Sequence, residues 1–318
     1  MKKIMVTGAA GQIGSELVPV LRLKFGNSNV IAASFDTPLS TDVFEGGPHI
    51  RVDITKSDEV ERAIHDFQID TVYHLSSILS ALAEQKRERA YLVNFTGFQS
   101  LLELSVRIGV KTVIVPSSIA AFGPESPVNK TPNDTIQKPN TIYGISKVFT
   151  ELMGSYYASK FDLSVRGVRL PGIISWKVEP TAGTTDYAVA IFYGAIRDNR
   201  YTCFLRPDTR LPMMYMPDAI DSLIQLESAD GDRLTHNCDY NVNSMSFTCE
   251  ELAHVISRRF PGFKIEYDVD PVRQAIADSW PDSLDDTLAR KEWGWDPKYD
   301  LEAMVDDMIE NLSKKLKS

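Results

Sequence analysis

Tyr143 and Lys147 stand four residues apart in Tyr143-Gly144-Ile145-Ser146-Lys147. On a helix, positions i and i+4 share a face, so a phenol and an ammonium point into one cleft. A free tyrosine titrates near about 10, too high for a base at neutral pH. A neighbouring ammonium favours the phenolate and lowers that value, which makes the pair a workable acid and base. Alone, such a pair is a common accident of a solvated helix face. Ser118, at the end of an apolar strand segment, gives it weight. A serine there orients a reacting oxygen by hydrogen bonding, although it also reads as a turn former or helix cap. The three side chains together fit hydride transfer at a C–OH/C=O centre.

A hydride needs an acceptor, and the N-terminus offers a place for one. Thr7-Gly8-Ala9-Ala10-Gly11-Gln12-Ile13-Gly14 lies between an apolar strand and an amphipathic helix. Glycines allow a tight turn and a close backbone approach to a pyrophosphate. The N–H groups of Gln12, Ile13 and Gly14 open the helix, whose N-terminus favours an anion. Asp36 follows the second strand near the offset of about 20 residues at which an acid meets the adenosine ribose hydroxyls. Its carboxylate repels a 2′-phosphate, and Ser34, Phe35 and Thr37 beside it are not cationic. NAD rather than NADP is the expected cofactor.

Alternating elements position these groups. Strands are expected at Lys3–Thr7, Asn29–Ser34, Ile50–Asp53, Thr71–Leu75, Thr112–Ser117 and Ser164–Leu170. Helices are expected at Ile13–Phe25, Ser57–Phe67 (Ser57 as N-cap), Arg87–Ile108 and Tyr143–Phe161. The alternation predicts an α/β, doubly wound parallel sheet of Rossmann type, with ligands bound at the carboxyl ends of its strands. Pro171–Thr185 reads as loop, Pro217–Glu227 as helix, Tyr240–Val242 as a returning strand, and Thr248–Arg259 and Leu301–Leu312 as helices. Thr248 with Glu251 forms the pattern of a capping box. The expected division is a nucleotide-binding domain of residues 1–175 plus about 213–243, and a smaller substrate-binding part of about 176–212 and 244–318.

Composition narrows the classes. The 318 residues include 34 Lys and Arg against 43 Asp and Glu, a net charge of −9. An acidic chain of this kind is not expected to bind nucleic acid, whose phosphates need a basic face. Cys203, Cys238 and Cys249 form no Cys-x-x-Cys pair, and so sparse a count suits a reducing compartment. No apolar run reaches the length of a membrane span, and the glycine loop begins too early for a signal sequence. A cytoplasmic protein without a metal site is the expectation.

The Gly-x-x-Gly-x-x-Gly spacing, with Tyr143-x-x-x-Lys147, resembles the extended short-chain dehydrogenase/reductases. That resemblance implies that Asp53-Ile54 reads the adenine and that Leu75-Ser76-Ser77 lies along the cofactor. It implies that Tyr143 takes a hydroxyl proton, that Lys147 tunes it and holds the nicotinamide ribose, and that Ser118, 25 residues before Tyr143, positions the oxygen. Pro171–Trp176, Gly183–Val189, Asp208–Met216, Arg273–Pro281 and Trp293-Gly294-Trp295 resemble the short-chain L-threonine 3-dehydrogenases in particular. This second resemblance implies NAD-dependent oxidation of L-threonine to 2-amino-3-oxobutyrate. It implies a pocket in which Asp186 pairs with the substrate ammonium while Thr185 and Ser80 hydrogen-bond nearby. Thr184-Thr185-Asp186 also reads as a helix N-cap. The carboxylate partner stays open among Ser80, Ser118, backbone N–H groups and Arg210, and Trp280 reads either as a pocket cover or as core. A homodimer through the helices at Arg87–Ile108 and Tyr143–Phe161 is implied, with Leu92, Phe95, Gln99, Leu102 and Val106 as a partly apolar stripe on the first, which also reads as packing on the sheet alone. The alternatives are a sugar-nucleotide epimerase or dehydratase and a non-catalytic NAD-sensing regulator. Against the first, Ile119-Ala120-Ala121 follows the serine, and Thr209–Asp218 lacks the usual diphosphate-gripping pattern.

Overall fold

The computed structural model describes residues 2–180 and 183–317. The chain divides into two units. The first comprises the chain up to Ala121 with Thr141–Arg169 and Ile220–Tyr240; the second comprises Phe122–Asn140, Leu170–Ala219 and the chain from Asn241.

In chain order the elements begin β1 (Ile4–Thr7), α1 (Gly14–Phe25), β2 (Val30–Ser34), α2 (Thr41–Glu45), β3 (His49–Arg51), α3 (Ser57–Asp66) and β4 (Thr71–His74). They continue α4 (Ser80–Gln85), α5 (Arg87–Ala90), α6 (Phe98–Ile108), β5 (Thr112–Ile114), β6 (Ser117–Ser118), α7 (Ile142–Lys160), β7 (Ser164–Arg166) and β8 (Val168–Leu170). Six strands form a parallel sheet in the order β3-β2-β1-β4-β5-β7. The register explains why it holds. Met5 pairs with Ile31 and Val72, Val72 with Val113, and Val113 with Val165. All five are buried in one apolar core, each worth about 1.5–3 kcal/mol against exposure. Because Thr7 also aligns with Ala33 and His74, the glycine loop and the turns after β2 and β4 emerge at one edge. The strand order reverses between β1 and β4, the switch point where such sheets bind ligands.

Four expected elements are refined. The expected strand Thr112–Ser117 breaks at Pro116, which offers no N–H to a ladder. Ser164–Leu170 breaks at Gly167, where a Cβ would lie 2.2 Å from the Val115 carbonyl oxygen; β8 joins a separate three-stranded sheet with β6 and β12 (Tyr240–Asn241). The expected helix Arg87–Ile108 contains a π-helical stretch at Tyr91–Gly97, and α3 starts on Ser57 with Lys56 before it.

In the second unit follow β9 (Gly172–Ile174), α8 (Tyr187–Asp198), β10 (Arg200–Cys203), β11 (Arg210–Tyr215), α9 (Met216–Ser228, which runs into the first unit), β13 (Met245–Thr248) and α10 (Cys249–Ser257). After them come β14 (Lys264–Tyr267), α11 (Pro271–Ala277), α12 (Thr287–Trp293) and α13 (Leu301–Lys315). Its core gathers Tyr187, Phe192, Met213, Phe247, Met304 and Met308. β9 is a correction to the expected Pro171–Thr185 loop: it pairs with β11, which pairs in turn with β13. Thr181 and Ala182 of that expected loop lie outside the described residues. These pairings draw residues 170–175 and 213–219 into the second unit rather than the first. Residues 122–140 join it too: the Asn241 N–H donates to Asn133 Oδ1 at 2.8 Å, and its amide donates to the Thr131 carbonyl at 2.9 Å. The capping box is present, Thr248 and Glu251 each accepting the other's N–H. Among the described residues no helix is long and apolar enough to cross a membrane.

Candidate active site

The glycine loop leaves β1 at Gly8, whose φ of +68° is the left-handed conformation that glycine adopts without strain. A Cβ on Gly8 would lie 2.8 Å from Leu75 C and Ser76 N, and one on Gly14 only 2.3 Å from the Gly8 oxygen. Gly11 donates to the Gly8 carbonyl at 2.9 Å and accepts from Ser15. Gln12, Ile13 and Gly14 therefore open α1 without a side-chain cap, leaving the first N–H groups of the helix for a ligand. A cradle that side chains would fill, at the switch point of the sheet, fits a pyrophosphate.

Asp36 is exposed just beyond β2. The sequence shows no cation beside it, but the fold brings one: Arg51 Nη2 lies 3.6 Å from its carboxylate. The Arg51 and Arg89 guanidiniums stand 4.2 and 5.6 Å from the Phe35 ring centroid. Asp53 is buried and bonds the Thr55 N–H and hydroxyl at 3.0 and 2.8 Å. That is the ordinary turn role of an aspartate, at the carboxyl edge where Ile54 is also buried.

After β4, the Leu75 N–H donates to the Thr7 carbonyl at 3.2 Å and the Ser76 N–H to the Thr7 hydroxyl at 3.4 Å. His74 bonds that hydroxyl through Nδ1 at 2.9 Å and stacks on Phe98. Burial, then the nearby Lys147, pushes His74 down to about 3, so it is neutral. Asn94 belongs to no motif of the sequence. Its side chain bonds the Ile78 N–H at 2.8 Å and the Ile78 carbonyl at 2.9 Å, and reaches Ser77 and Ser146 at 3.3 Å. Asn94 sits in the π-helical stretch, a distortion frequent at functional sites. The available signal was a buried amide in the otherwise apolar Val93-Asn94-Phe95. A cavity is lined here by Leu75, Ser76, Ser77, Asn94, Ser146 and Lys147.

Thr141 caps α7 by accepting the Gly144 N–H at 3.0 Å, which sets the helix's first turn and Tyr143 with it. Lys147 is buried and donates to the Pro116 carbonyl at 2.8 Å. Its ammonium lies 5.3 Å from the Tyr143 ring centroid. Burial pushes Tyr143 up to about 12, against a hydrogen bond from Ser118 that pulls it down. Burial pushes Lys147 down to about 8, against the Glu151 carboxylate. The expected depression of the phenol is thus reversed, because desolvation outweighs the Ser118 hydrogen bond. Ser118 also accepts the Ala120 N–H at 3.2 Å, so it is turn former and Tyr143 partner at once. Ser80 opens α4 in the same unit.

Thr185 and Asp186 belong to the second unit. Asp186 stands at the N-cap of α8, but its carboxylate accepts the Gly183 N–H at 3.2 Å instead of capping the helix. Arg210, one expected candidate for a carboxylate, is engaged by Glu251 and by the Ser246 carbonyl. Trp280 packs against the core of the second unit.

A family model described as the NAD dependent epimerase/dehydratase family matches residues 4–225. An uncharacterized epimerase/dehydratase of Staphylococcus haemolyticus is 44% identical over 99% of both chains. Among solved structures, an L-threonine dehydrogenase from Clostridium difficile superposes with a TM-score of 0.97 at 48% identity, covering 99% of this chain and 98% of the other. A structure described as a monomeric L-threonine 3-dehydrogenase from a metagenome gives a TM-score of 0.93 at 42% identity, covering 98% of this chain and 99% of the other.

Proposed function

The chain belongs to the NAD-dependent epimerase/dehydratase family of enzymes, and we propose that within it the protein oxidises L-threonine to 2-amino-3-oxobutyrate. The observation that carries this reading is the likeness to an L-threonine dehydrogenase at 48% identity over 99% of the chain. It extends through the second unit, where enzymes of one fold differ in substrate.

The loop at Gly8–Gly14 would hold the NAD pyrophosphate, Asp36 the adenosine ribose, Asp53 and Ile54 the adenine end, and Leu75–Ser77 with Lys147 the nicotinamide side. NAD, when bound, supplies the two-electron acceptor. The protein's own work is with the proton. Ser118 orients the substrate hydroxyl and the Tyr143 phenolate takes its proton, while Lys147 opposes the charge. In this reading Asp186 pairs with the substrate ammonium, and Thr185 and Ser80 hydrogen-bond around it. The test is NADH formation from L-threonine with chelator present and with UDP-sugars as competitors. Epimerisation or consumption of a UDP-sugar without threonine turnover overturns it.

Asp36 makes a sharper cofactor prediction. Asp36→Ser removes the carboxylate that repels a 2′-phosphate and frees Arg51 to bond one. The NADP-to-NAD ratio of kcat/KM is expected to rise about 10- to 100-fold, the value of one hydrogen bond to a charged group. Steady-state kinetics with both cofactors checks this, and an unchanged ratio places the ribose elsewhere.

We also propose a homodimer. Leu82, Tyr91, Leu92, Ile145, Leu152 and Tyr156, on and between α4 and α7, are 42–65% exposed, an apolar patch of the kind that marks an interface. Of the expected stripe, Leu102 is fully buried on the sheet side. The wider π turn rotates the residues after it relative to a regular 3.6 spacing. Sedimentation velocity is expected to give a dimer that Leu152→Glu with Tyr156→Glu converts to monomer; a monomeric wild type overturns the assembly. The buried, unpaired cysteines are compatible with a cytoplasmic location.

A further inference from the structure

Beneath Lys147 lies a charged group that the proton chemistry does not itself use. Glu151 is one helical turn beyond Lys147 on α7, so Tyr143, Lys147 and Glu151 follow one another on a single face. Its carboxylate is 3% exposed. Arg169 on β8, 2% exposed, grips both of its oxygens, Nε to Oε1 at 2.9 Å and Nη2 to Oε2 at 2.8 Å. Ser117 donates its hydroxyl to the same Oε1, and Ser117 is the immediate neighbour of Ser118. Arg169 also lies 3.9 Å from Asp239, which His236 meets at 3.0 Å. All these residues belong to the first unit.

A buried ion pair seldom stabilises a fold more than apolar side chains of the same volume, because both charges lose their water. Stability alone gives no account of this one. Its placement gives another. We propose that Glu151 is the positioning residue of this site: its carboxylate keeps Lys147 an ammonium in a dry pocket, and through Ser117 it fixes the strand that presents Ser118 to Tyr143. Arg169 makes the carboxylate tenable there by balancing its charge. The charged and titratable groups around Lys147 are Tyr143 and Glu151 on α7, His74 at the end of β4 and, behind Glu151, Arg169 with Asp239, His236 and the Cys238 thiol, which burial pushes up so that it is neutral. His74 is neutral and Arg169 is spent on carboxylates, so Glu151 is the anion that opposes the desolvation of Lys147. The inference rests on the reading of Tyr143 and Lys147 as the proton-handling pair.

The test follows two pH profiles in Glu151→Gln, in Glu151→Asp and in Glu151→Gln/Arg169→Met. One is NADH affinity, read by nicotinamide fluorescence, which needs no substrate. The other is threonine oxidation, separated into a pH midpoint and an alkaline plateau. Without the carboxylate, Lys147 gives up its proton more readily, so both midpoints move down by about one pH unit. The plateau falls about tenfold or more, because the tautomer of neutral phenol with neutral amine is favoured still further over phenolate with ammonium. Glu151→Asp retains part of both. Glu151→Gln leaves Arg169 uncompensated and costs melting temperature; the double variant removes that charge too and recovers melting temperature, yet keeps a lowered midpoint. Midpoints equal to wild type in the folded double variant overturn the proposal and leave the pair a structural one. If the wild type does not oxidise threonine, the substrate reading fails by itself, and the NADH midpoint still decides the role of Glu151. A wild-type NADH affinity that does not change with pH across the same range overturns the proposal as well.

Discussion

Tyr143→Phe is expected to lower threonine oxidation by about 10²- to 10⁴-fold, the usual loss when a positioned acid–base group is removed, while NADH affinity and melting temperature stay near wild type. The substitution deletes one oxygen from a half-buried ring on an intact helix. No core cavity opens and no cap is lost, so a large loss of rate with small structural cost isolates the proton step. The pH dependence sharpens it. Burial holds the phenol up at about 12 and brings Lys147 down to about 8. The useful form is phenolate with ammonium, one proton short of the fully protonated pair. Neutral phenol with neutral amine is its tautomer, at the same count of protons. The pair reaches that state as pH rises through about 8. The rate of oxidation therefore climbs with pH on the acid side of this value and levels above it. It falls again only where the second proton leaves, near the phenol's value of about 12. In Tyr143→Phe the alkaline rise disappears along with the rate. Stopped-flow measurement of NADH formation against pH checks both, and a variant that keeps wild-type turnover removes Tyr143 from the chemistry.

What the sequence reveals here is what local chemistry encodes. The glycine loop, Asp36 and the Tyr143–Lys147 pair each lie within one short segment, so their spacing is visible without the fold, although the pair by itself is a common accident of a helix face. The parallel sheet is legible for the same reason, since apolar runs such as Ile4–Thr7 and Thr71–His74 alternate with amphipathic helices. The rest depends on residues distant in the chain. Arg51 reaches Asp36 only because β3 pairs with β2. Asn94 serves Ile78 and Ser146 only because a π turn aims it there. Glu151 reads as one more charge on a helix until Arg169 and Ser117 fold onto it. β9 hides in a stretch rich in Gly and Pro because its partner, β11, lies about 40 residues away. The phenol's raised pKa is the instructive reversal: the sequence shows the ammonium four residues on, and only the fold shows how dry the pocket is.

Gly14→Ala carries the other large effect, and here two rules oppose each other. Alanine in place of a helical glycine is worth about 0.5–1 kcal/mol in favour of the helix, which predicts a more stable protein. Sterics predict the reverse. The new Cβ would stand 2.3 Å from the Gly8 oxygen, 2.7 Å from Ala9 Cα and 3.0 Å from Ala9 C. These are backbone atoms with no rotamer to escape into, and the Gly8 oxygen already accepts the Gly11 N–H that closes the loop. The loop must open or α1 must draw back, and either movement takes the first N–H groups of α1 away from where the proposed pyrophosphate site holds them. Losing two hydrogen bonds to a charged group, at about 1.5–3 kcal/mol each, raises the dissociation constant for NAD by about 10²- to 10⁴-fold. Gly109→Ala is the matched control. Gly109 has a φ of +93° with nothing within 4 Å of its added Cβ, so alanine there strains the backbone at the far end of α6 and costs stability. Calorimetric titration with NAD is expected to find that Gly109→Ala binds as wild type despite a lower melting temperature, whereas Gly14→Ala scarcely binds even where circular dichroism shows it folded. If Gly14→Ala binds NAD as tightly as wild type, the loop does not cradle the pyrophosphate, however well its spacing fits one.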